Sequence, residues 1–159
     1  MTRPLAVFDI DGVLADVRHR LRHVERRPKD WDAFFAAAPD DPPLAQGVAL
    51  ALDRAKDCEV VYVTGRPERC RTDTLSWLAR HGLPLGELSM RSGRDRRPAR
   101  LAKPELLRQL SAGRVVAVVV DDDPHVCRAY QEAGFAVLRA EWMDSLPALR
   151  QAQEEDGRT

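Results

Sequence analysis

The 159-residue chain is predicted to fold as one α/β domain with a mostly parallel β-sheet. Short apolar runs, several of them rich in valine, alternate along the sequence with segments of helical spacing, and this alternation is typical of such domains. Three of the apolar runs end directly in polar motifs. Because ligands of open parallel sheets bind beyond the carboxyl ends of the strands, these motifs should gather at one edge of the sheet.

Each predicted strand is a short apolar or β-branched run that stops at turn or polar residues. The run at 115–120 is apolar on both faces, as expected of a central parallel strand that helices cover on both sides. In chain order, the predicted strands are 5–8, 59–63, 88–90, 115–120 and 136–138.

Helices are predicted where apolar residues recur at helical spacing. His81-Gly82 ends the second helix, because glycine suits a left-handed C-cap, and Pro104 is tolerated in the first turn of the third. In chain order, the predicted helices are 44–56, 68–80, 104–110 and 124–133.

The length suits one domain with a substantial core and is too short for two ordinary domains. Residues 1–150 are assigned to this domain. Residues 16–43 are irregular, basic and proline-containing, with an aromatic patch, and we interpret them as a small lid or specificity insert after the first strand. Residues 151–159 form a polar tail that is expected to fray.

The composition, with 44% hydrophobic and 31% charged residues, is typical of a soluble globular protein. No apolar stretch approaches the roughly 20 residues of a membrane span, so no membrane partner is expected. The N-terminus lacks the pattern of a signal peptide, which favours the cytoplasm. Cys58, Cys70 and Cys127 are widely spaced, without a CxxC or zinc-type pattern, and are predicted to be buried reduced thiols.

Basic residues are concentrated in two segments although the formal net charge is zero. Residues 18–29 hold six of them against Glu25, and residues 91–100 hold five arginines against Asp95. Such clusters could steer a polyanionic substrate, or they could simply be solvated basic surfaces. The sequence leaves both interpretations open.

The acid pair Asp9 and Asp11 follows the first predicted strand. In extended geometry both side chains could point into the same crevice, where their repulsion would be relieved by a hard cation or by protonation of one acid. Gly12 would let the chain turn sharply near a phosphate. Taken alone, the pair could equally be an acidic turn.

Thr64-Gly65-Arg66 follows the second predicted strand and offers a hydroxyl, open backbone N–H groups and a guanidinium. This combination holds phosphate oxygens well, although Thr-Gly also makes ordinary turns. Lys103, at a predicted helix start, could add a compact positive charge or remain a solvated surface lysine.

Three aspartates, at positions 121–123, follow the most apolar strand. Asp121 and Asp122 could complete an oxygen-ligand Mg²⁺ site, and Asp123, before Pro124, could instead cap a helix. The order of the motifs favours a site for phosphate chemistry: acid pair, hydroxyl, lysine, acid pair.

At this point the chain resembles the haloacid dehalogenase superfamily across nearly its whole length, on these four motifs. The resemblance implies a Rossmann-like, doubly wound fold in which Asp9 forms an aspartyl-phosphate. Asp11 would protonate the leaving oxygen and then activate water. Position 13 is valine where many relatives have threonine, a departure that should affect packing more than chemistry.

The resemblance also implies which residues hold the phosphoryl group and the metal. Thr64, Gly65 and Lys103 would bind phosphate. Mg²⁺ would be held by Asp9, by the backbone carbonyl of Asp11 and by Asp121 or Asp122.

A narrower resemblance, to the phosphatase module of polynucleotide kinase/3′-phosphatase repair enzymes, comes from residues 90–98 and from Lys103-Pro104-Glu105. It makes Arg91 and Arg97 candidates for contacting the substrate, and Arg18 could reach over the site in the same way. Arg66 is a further candidate for this role. No GxxxxGK[ST] loop is present in the sequence, so no ATP-binding kinase module is expected.

The leading hypothesis is a phosphatase that removes a terminal phosphate, of the 3′ type, from a nucleic acid or nucleotide. The alternatives are a 5′-nucleotidase or other small-metabolite phosphatase, and a non-catalytic nucleic-acid-binding module. The sequence does not distinguish DNA from RNA, does not give the oligomeric state, and does not tell which of Asp121 and Asp122 contacts the metal.

Overall fold

The computed structural model describes residues 2–144 and 146–159 and contains a five-stranded sheet. Strands β1 to β5 span Leu5–Phe8, Glu59–Pro67, Leu88–Arg91, Val116–Asp121 and Val137–Arg139. They are all parallel and lie in the order β3-β2-β1-β4-β5. This confirms the predicted α/β class. The strand order reverses at β1, so the carboxyl ends of β1 and β4 flank the crevice where such sheets bind ligands.

Helices α1 to α7 span Arg22–Glu25, Trp31–Ala36, Ala45–Arg54, Arg71–Arg80, Ala99–Leu110, Pro124–Glu132 and Pro147–Glu154. Short 3₁₀ turns lie at Arg18–Arg20, Ala38–Asp40 and Glu68–Cys70. Within the described residues, no helix is both long enough and apolar enough to cross a membrane. The cytoplasmic location stays a prediction.

The sheet is covered on both faces, as the alternation of its side chains requires. Ala6 and Phe8 of β1 point into one cluster of buried side chains, which includes Trp77 of α4. Val7 points to the other face, where Leu107 of α5 contributes to a second cluster. Helices on both faces leave the carboxyl edge of the sheet as the open side of the domain.

The insert, residues 16–43, contains α1 and α2 and begins a few residues beyond the end of β1. Phe34 of α2 is fully buried in the main cluster. The backbone carbonyl of Asp41 accepts a hydrogen bond of 2.8 Å from the indole N–H of Trp77. The insert is therefore packed against the domain next to the predicted site.

Helix α5 begins at Ala99, five residues earlier than predicted, so Pro104 lies inside the helix and the prediction of its place in the first turn is wrong. A proline there cannot donate to the preceding turn, which normally destabilises a helix. Ala102 and Leu107 are buried, and their packing keeps the helix continuous around the proline.

The expectation of a frayed tail is also wrong. Helix α7 runs through to Glu154, and Leu149 and Ala152, three residues apart on one helix face, are fully buried. Thr159 is buried as well. The polar composition of the segment concealed these contacts, because two apolar residues are enough to anchor so short a helix. By contrast, the prediction of three buried, unpaired cysteines is confirmed.

Candidate active site

Carboxylates from two neighbouring strands meet a lysine at the carboxyl edge of the sheet. Asp9 directly follows β1, Asp121 ends β4 and Asp122 follows it, and all three are buried. The Nζ atom of Lys103, from α5, lies 2.7 Å from Oδ2 of Asp121 and 3.0 Å from Oδ1 of Asp9. Three of the four sequence motifs therefore converge on one point.

These carboxylates form a set that suits a small hard cation. One ligand oxygen from each of Asp9, Asp121 and Asp122 lies within 4.8 Å of the others. Among the described residues, the buried Oδ2 of Asp9 and Oδ1 of Asp122 have no hydrogen-bond partner. Buried carboxylate oxygens normally find partners, so their pairing with a cation would remove an energetic cost. The donor set thus fits the predicted metal site.

The electrostatics of the cluster are dominated by burial. Burial and the neighbouring Asp121 raise the pKa of Asp9 well above its usual range, and Lys103 only partly opposes this rise. Burial also disfavours the charged form of Lys103, but Asp121 and Asp9 outweigh it and raise the lysine's pKa. Burial and Asp121 raise the pKa of Asp122 to about 6. Excess negative charge of this kind is what a cation neutralises.

Asp11 lies in a different environment from Asp9. Its Oδ1 accepts hydrogen bonds from Nη2 of Arg66 at 2.6 Å and from Nη2 of Arg20 at 2.9 Å. Its Oδ2 accepts one of 2.8 Å from the hydroxyl of Thr159. Burial opposes the charged form, but the two arginines outweigh it and hold the pKa of Asp11 well below its usual range.

The arginines that hold Asp11 share a second acid. Nε of Arg20 donates to Oδ1 of Asp41 at 2.8 Å, and Nη2 of Arg66 donates to Oδ2 at 3.2 Å. All four side chains of this group are buried. Arg66, predicted to contact substrate, is thus engaged with two aspartates and with the hydroxyl of Thr74.

The phosphate-loop residues Thr64 and Gly65 lie in β2, the strand next to β1. Thr64 is fully buried and its hydroxyl accepts a hydrogen bond of 3.2 Å from the N–H of Arg66. A Cβ at position 65 would lie 2.1 Å from the carbonyl carbon of Thr159. Position 65 therefore has room for glycine alone in this arrangement.

Gly12 is required for two separate reasons. Its φ of +83° is in the left-handed region, and a Cβ there would lie 2.2 Å from Oδ2 of Asp122. The turn after β1 therefore brings backbone directly against one of the candidate metal ligands.

The remaining predicted arginines differ in position. Arg91, at the end of β3, is buried and donates from Nε to the carbonyl of Gly65 at 3.0 Å, which places it beside the phosphate loop. Burial lowers the pKa of Arg91. Arg97 is exposed and pairs with Asp95 and Glu105. Arg18 is exposed and pairs with Asp16, and it contacts none of the site residues named above.

Sequence reasoning missed four residues that contact the site. Arg20 and Asp41 bind the Asp11 network, Arg150 of α7 donates to Oδ2 of Asp122 at 2.9 Å, and Thr159 reaches Asp11. Arg20 is one of several basic residues in its segment, and nothing in the sequence sets it apart. The other three lie far along the chain from their partners and carry no motif.

A comparison with family models then decides the family. The model described as the polynucleotide kinase PNKP phosphatase domain matches residues 4–144. The chain belongs to this family. It is therefore a phosphatase domain of the haloacid dehalogenase type, which confirms the resemblance predicted from the motifs. The match ends ahead of α7 and of the residues that follow it.

Solved structures agree with this phosphatase family at the level of the fold. A chain of the Pnkp1/Rnl/Hen1 RNA repair complex is 21% identical with a TM-score of 0.72, over 90% of this chain and 44% of that one. A class C acid phosphatase from Bacillus anthracis with tungstate bound is 15% identical with a TM-score of 0.63, over 90% and 69% of the two chains.

A haloacid dehalogenase-like hydrolase from Streptococcus pneumoniae is 14% identical with a TM-score of 0.63, over 96% of this chain and 92% of that one. This phosphatase domain spans 44% and 48% of the lengths of the two Pnkp1 chains that it matches. No curated protein sequence matches it.

Proposed function

We propose that this phosphatase domain is a Mg²⁺-dependent phosphomonoesterase that forms an aspartyl-phosphate on Asp9. The observation that carries the proposal is the convergence of Asp9, Lys103, Asp121 and Asp122 at the carboxyl edge of β1 and β4, beside the Thr64-Gly65 loop. A buried carboxylate with one unpaired oxygen is a suitable nucleophile once its excess negative charge is balanced.

The residues would act in two steps. A carboxylate oxygen of Asp9 attacks phosphorus, the bond from phosphorus to the ester oxygen breaks, and Asp11 gives that oxygen a proton. Asp11 then takes a proton from a water molecule, whose oxygen attacks phosphorus and releases Asp9. The two arginines on Asp11 favour the charged form that the second step needs, so the first step requires these ion pairs to weaken as substrate binds.

The phosphoryl group would be held by Lys103 and by the Thr64-Gly65 loop. Asp9, Asp121 and Asp122 would hold Mg²⁺, together with the backbone carbonyl of Asp11. When bound, Mg²⁺ neutralises charge on the transferring phosphoryl group. The insert is proposed to act as a small cap, because it supplies Arg20 and Asp41 to the site.

We further propose that the substrate is a nucleic acid or nucleotide with a terminal 3′ phosphate. The family match supports this choice, and so does the position of Arg91. Its buried Nη2 atom has no partner among the described residues, and its Nε donates to the phosphate loop. A buried guanidinium N–H that lacks a partner beside a phosphate loop can donate to a substrate phosphate oxygen. The family match also disfavours a non-catalytic nucleic-acid-binding module.

The test compares phosphate release from a 3′-phosphorylated oligonucleotide, a 3′-mononucleotide and a 5′-mononucleotide in Mg²⁺. We expect the first two to react. Asp9→Asn should lower kcat by about 1,000-fold or more, because an amide cannot form the acyl-phosphate. Asp57→Asn is the matched control, since this exposed acid lies outside the site.

Two outcomes would contradict parts of this proposal. Reaction of the 5′-mononucleotide alone would indicate a nucleotidase. Substantial turnover by Asp9→Asn would remove this residue from the nucleophile's role.

A further inference from the structure

The C-terminal segment, residues 155–159, lies over the candidate site. It leaves α7 through hydrogen bonds of 2.9 Å from the N–H of Asp156 to Gln151 and from the N–H of Arg158 to Ala152. It turns at Gly157, whose φ is +60° and whose Cβ position lies 2.0 Å from the carbonyl oxygen of Arg96. The segment therefore follows one defined path against the rest of the molecule.

Two contacts fasten the segment to the insert. Nζ of Lys29 pairs with Oδ2 of Asp156 at 2.6 Å, and the lysine side chain is only 10% exposed. The guanidinium carbon of Arg158 lies 5.1 Å from the ring centre of Trp31, within the range of a cation–π contact. Both contacts involve charges at the rim of the site, where a second ligand can compete with them.

Thr159 at the end of this path touches both chemical halves of the site. Its hydroxyl donates to Oδ2 of Asp11 at 2.8 Å, and its carbonyl carbon packs directly on Gly65. The residue is 3% exposed. A threonine hydroxyl on Asp11 has the chemistry of the alcohol that a phosphomonoesterase releases, and the carbonyl lies against the loop assigned to phosphate.

We propose that the C-terminal segment is an intramolecular competitor of the substrate, with Thr159 in the place of the substrate's ester oxygen and phosphate. This inference rests on the proposed function, which assigns phosphate to the Thr64-Gly65 loop and the ester oxygen to Asp11. The segment must withdraw before substrate binds. The segment also lies outside the residues that match the phosphatase family, so it is a property of this chain.

Competition by a tethered segment has a defined kinetic signature. Only the fraction of molecules with the segment withdrawn can bind, so the apparent affinity falls by that fraction while the chemical step is unchanged. Release of the segment should therefore lower KM and leave kcat as it was. If Thr159 instead orients Asp11 for catalysis, its loss should lower kcat.

The test uses the full chain with p-nitrophenyl phosphate and Mg²⁺. Asp156→Ala removes the ion pair to Lys29, and Thr159→Gly removes the hydroxyl and side chain on Asp11. We expect each variant to lower KM, by about tenfold for Thr159→Gly because a hydrogen bond to a charged group is lost. Glu132→Ala, which breaks only an exposed ion pair on α6, is the control and should match the parent.

Two further measurements separate this inference from the proposed function. Inorganic phosphate binding, measured by calorimetry in Mg²⁺, should tighten in both segment variants even if no ester is hydrolysed. A synthetic peptide of residues 154–159 should inhibit the Asp156→Ala, Thr159→Gly double variant competitively. Unchanged KM and unchanged phosphate affinity, or a fall in kcat at constant KM, would overturn the inference. Absence of turnover in every protein with tighter phosphate binding in the variants would overturn only the hydrolytic proposal.

Discussion

At the scale of single residues, Asp9 and Asp11 show how two acids of one motif acquire opposite properties. Asp9 faces other carboxylates and one lysine, and burial with this repulsion raises its pKa. Asp11, two residues on, faces Arg66 and Arg20, which hold its pKa low despite burial. A pair of titratable groups in environments that push their pKa values apart is typical of catalytic sites. The difference supports the separate tasks proposed for them.

Gly12→Ala tests the close approach of the backbone to Asp122. The added Cβ would collide with Oδ2 of Asp122, so we expect a higher Mg²⁺ concentration for half-maximal activity as well as a loss of stability of about 1–2 kcal/mol from the left-handed φ. Gly134→Ala is the matched control, because Gly134 also has a positive φ but a Cβ there meets no atom within 4 Å. Equal Mg²⁺ dependence of the two variants in a titration of activity would show that crowding of Asp122 has no effect.

At the scale of elements, α5 carries Lys103 into the site, and Leu107 anchors the helix to the sheet. These residues are one turn apart, so burial of Leu107 also directs the lysine towards the domain. Leu107→Ala should reduce the free energy of unfolding by about 2–5 kcal/mol, because it leaves a cavity under the helix. Leu101→Ala, at an exposed position of the same helix, should change it by less than about 0.5 kcal/mol. Urea denaturation checks both values, and similar losses would mean that Leu107 does not anchor the helix.

At the scale of the whole molecule, Asp41 joins the insert to the domain through buried charges. It accepts from Arg20 and Arg66, and its carbonyl accepts from Trp77. Asp41→Asn should cost about 3 kcal/mol of unfolding free energy, because two buried guanidinium groups lose a charged partner. Asp16→Asn weakens an exposed pair with Arg18 and should cost less than about 1 kcal/mol. Denaturation curves that show equal losses would contradict a structural role for the buried network.

The fold and the centre of the site follow closely from local sequence patterns. Apolar runs such as 115–120 predict strands wherever they occur, and polar residues that follow them must lie at the carboxyl edge. The convergence of Asp9, Lys103 and Asp121 was therefore predictable before any contact was known. The start of α5 was not, because tertiary packing outweighs the local preference of Pro104.

The sequence by itself determined the α/β class, the parallel sheet and the edge at which the chemical groups gather, because strand periodicity and motif position are local properties of the chain. Only the tertiary structure decided which charges are paired and what lies over the site. Arg66 is 55 residues from Asp11, and Thr159 is 148 residues from it. Burial and charge pairing depend on such distant partners, and no local pattern in the polar segment 155–159 indicates that it folds back onto Asp11.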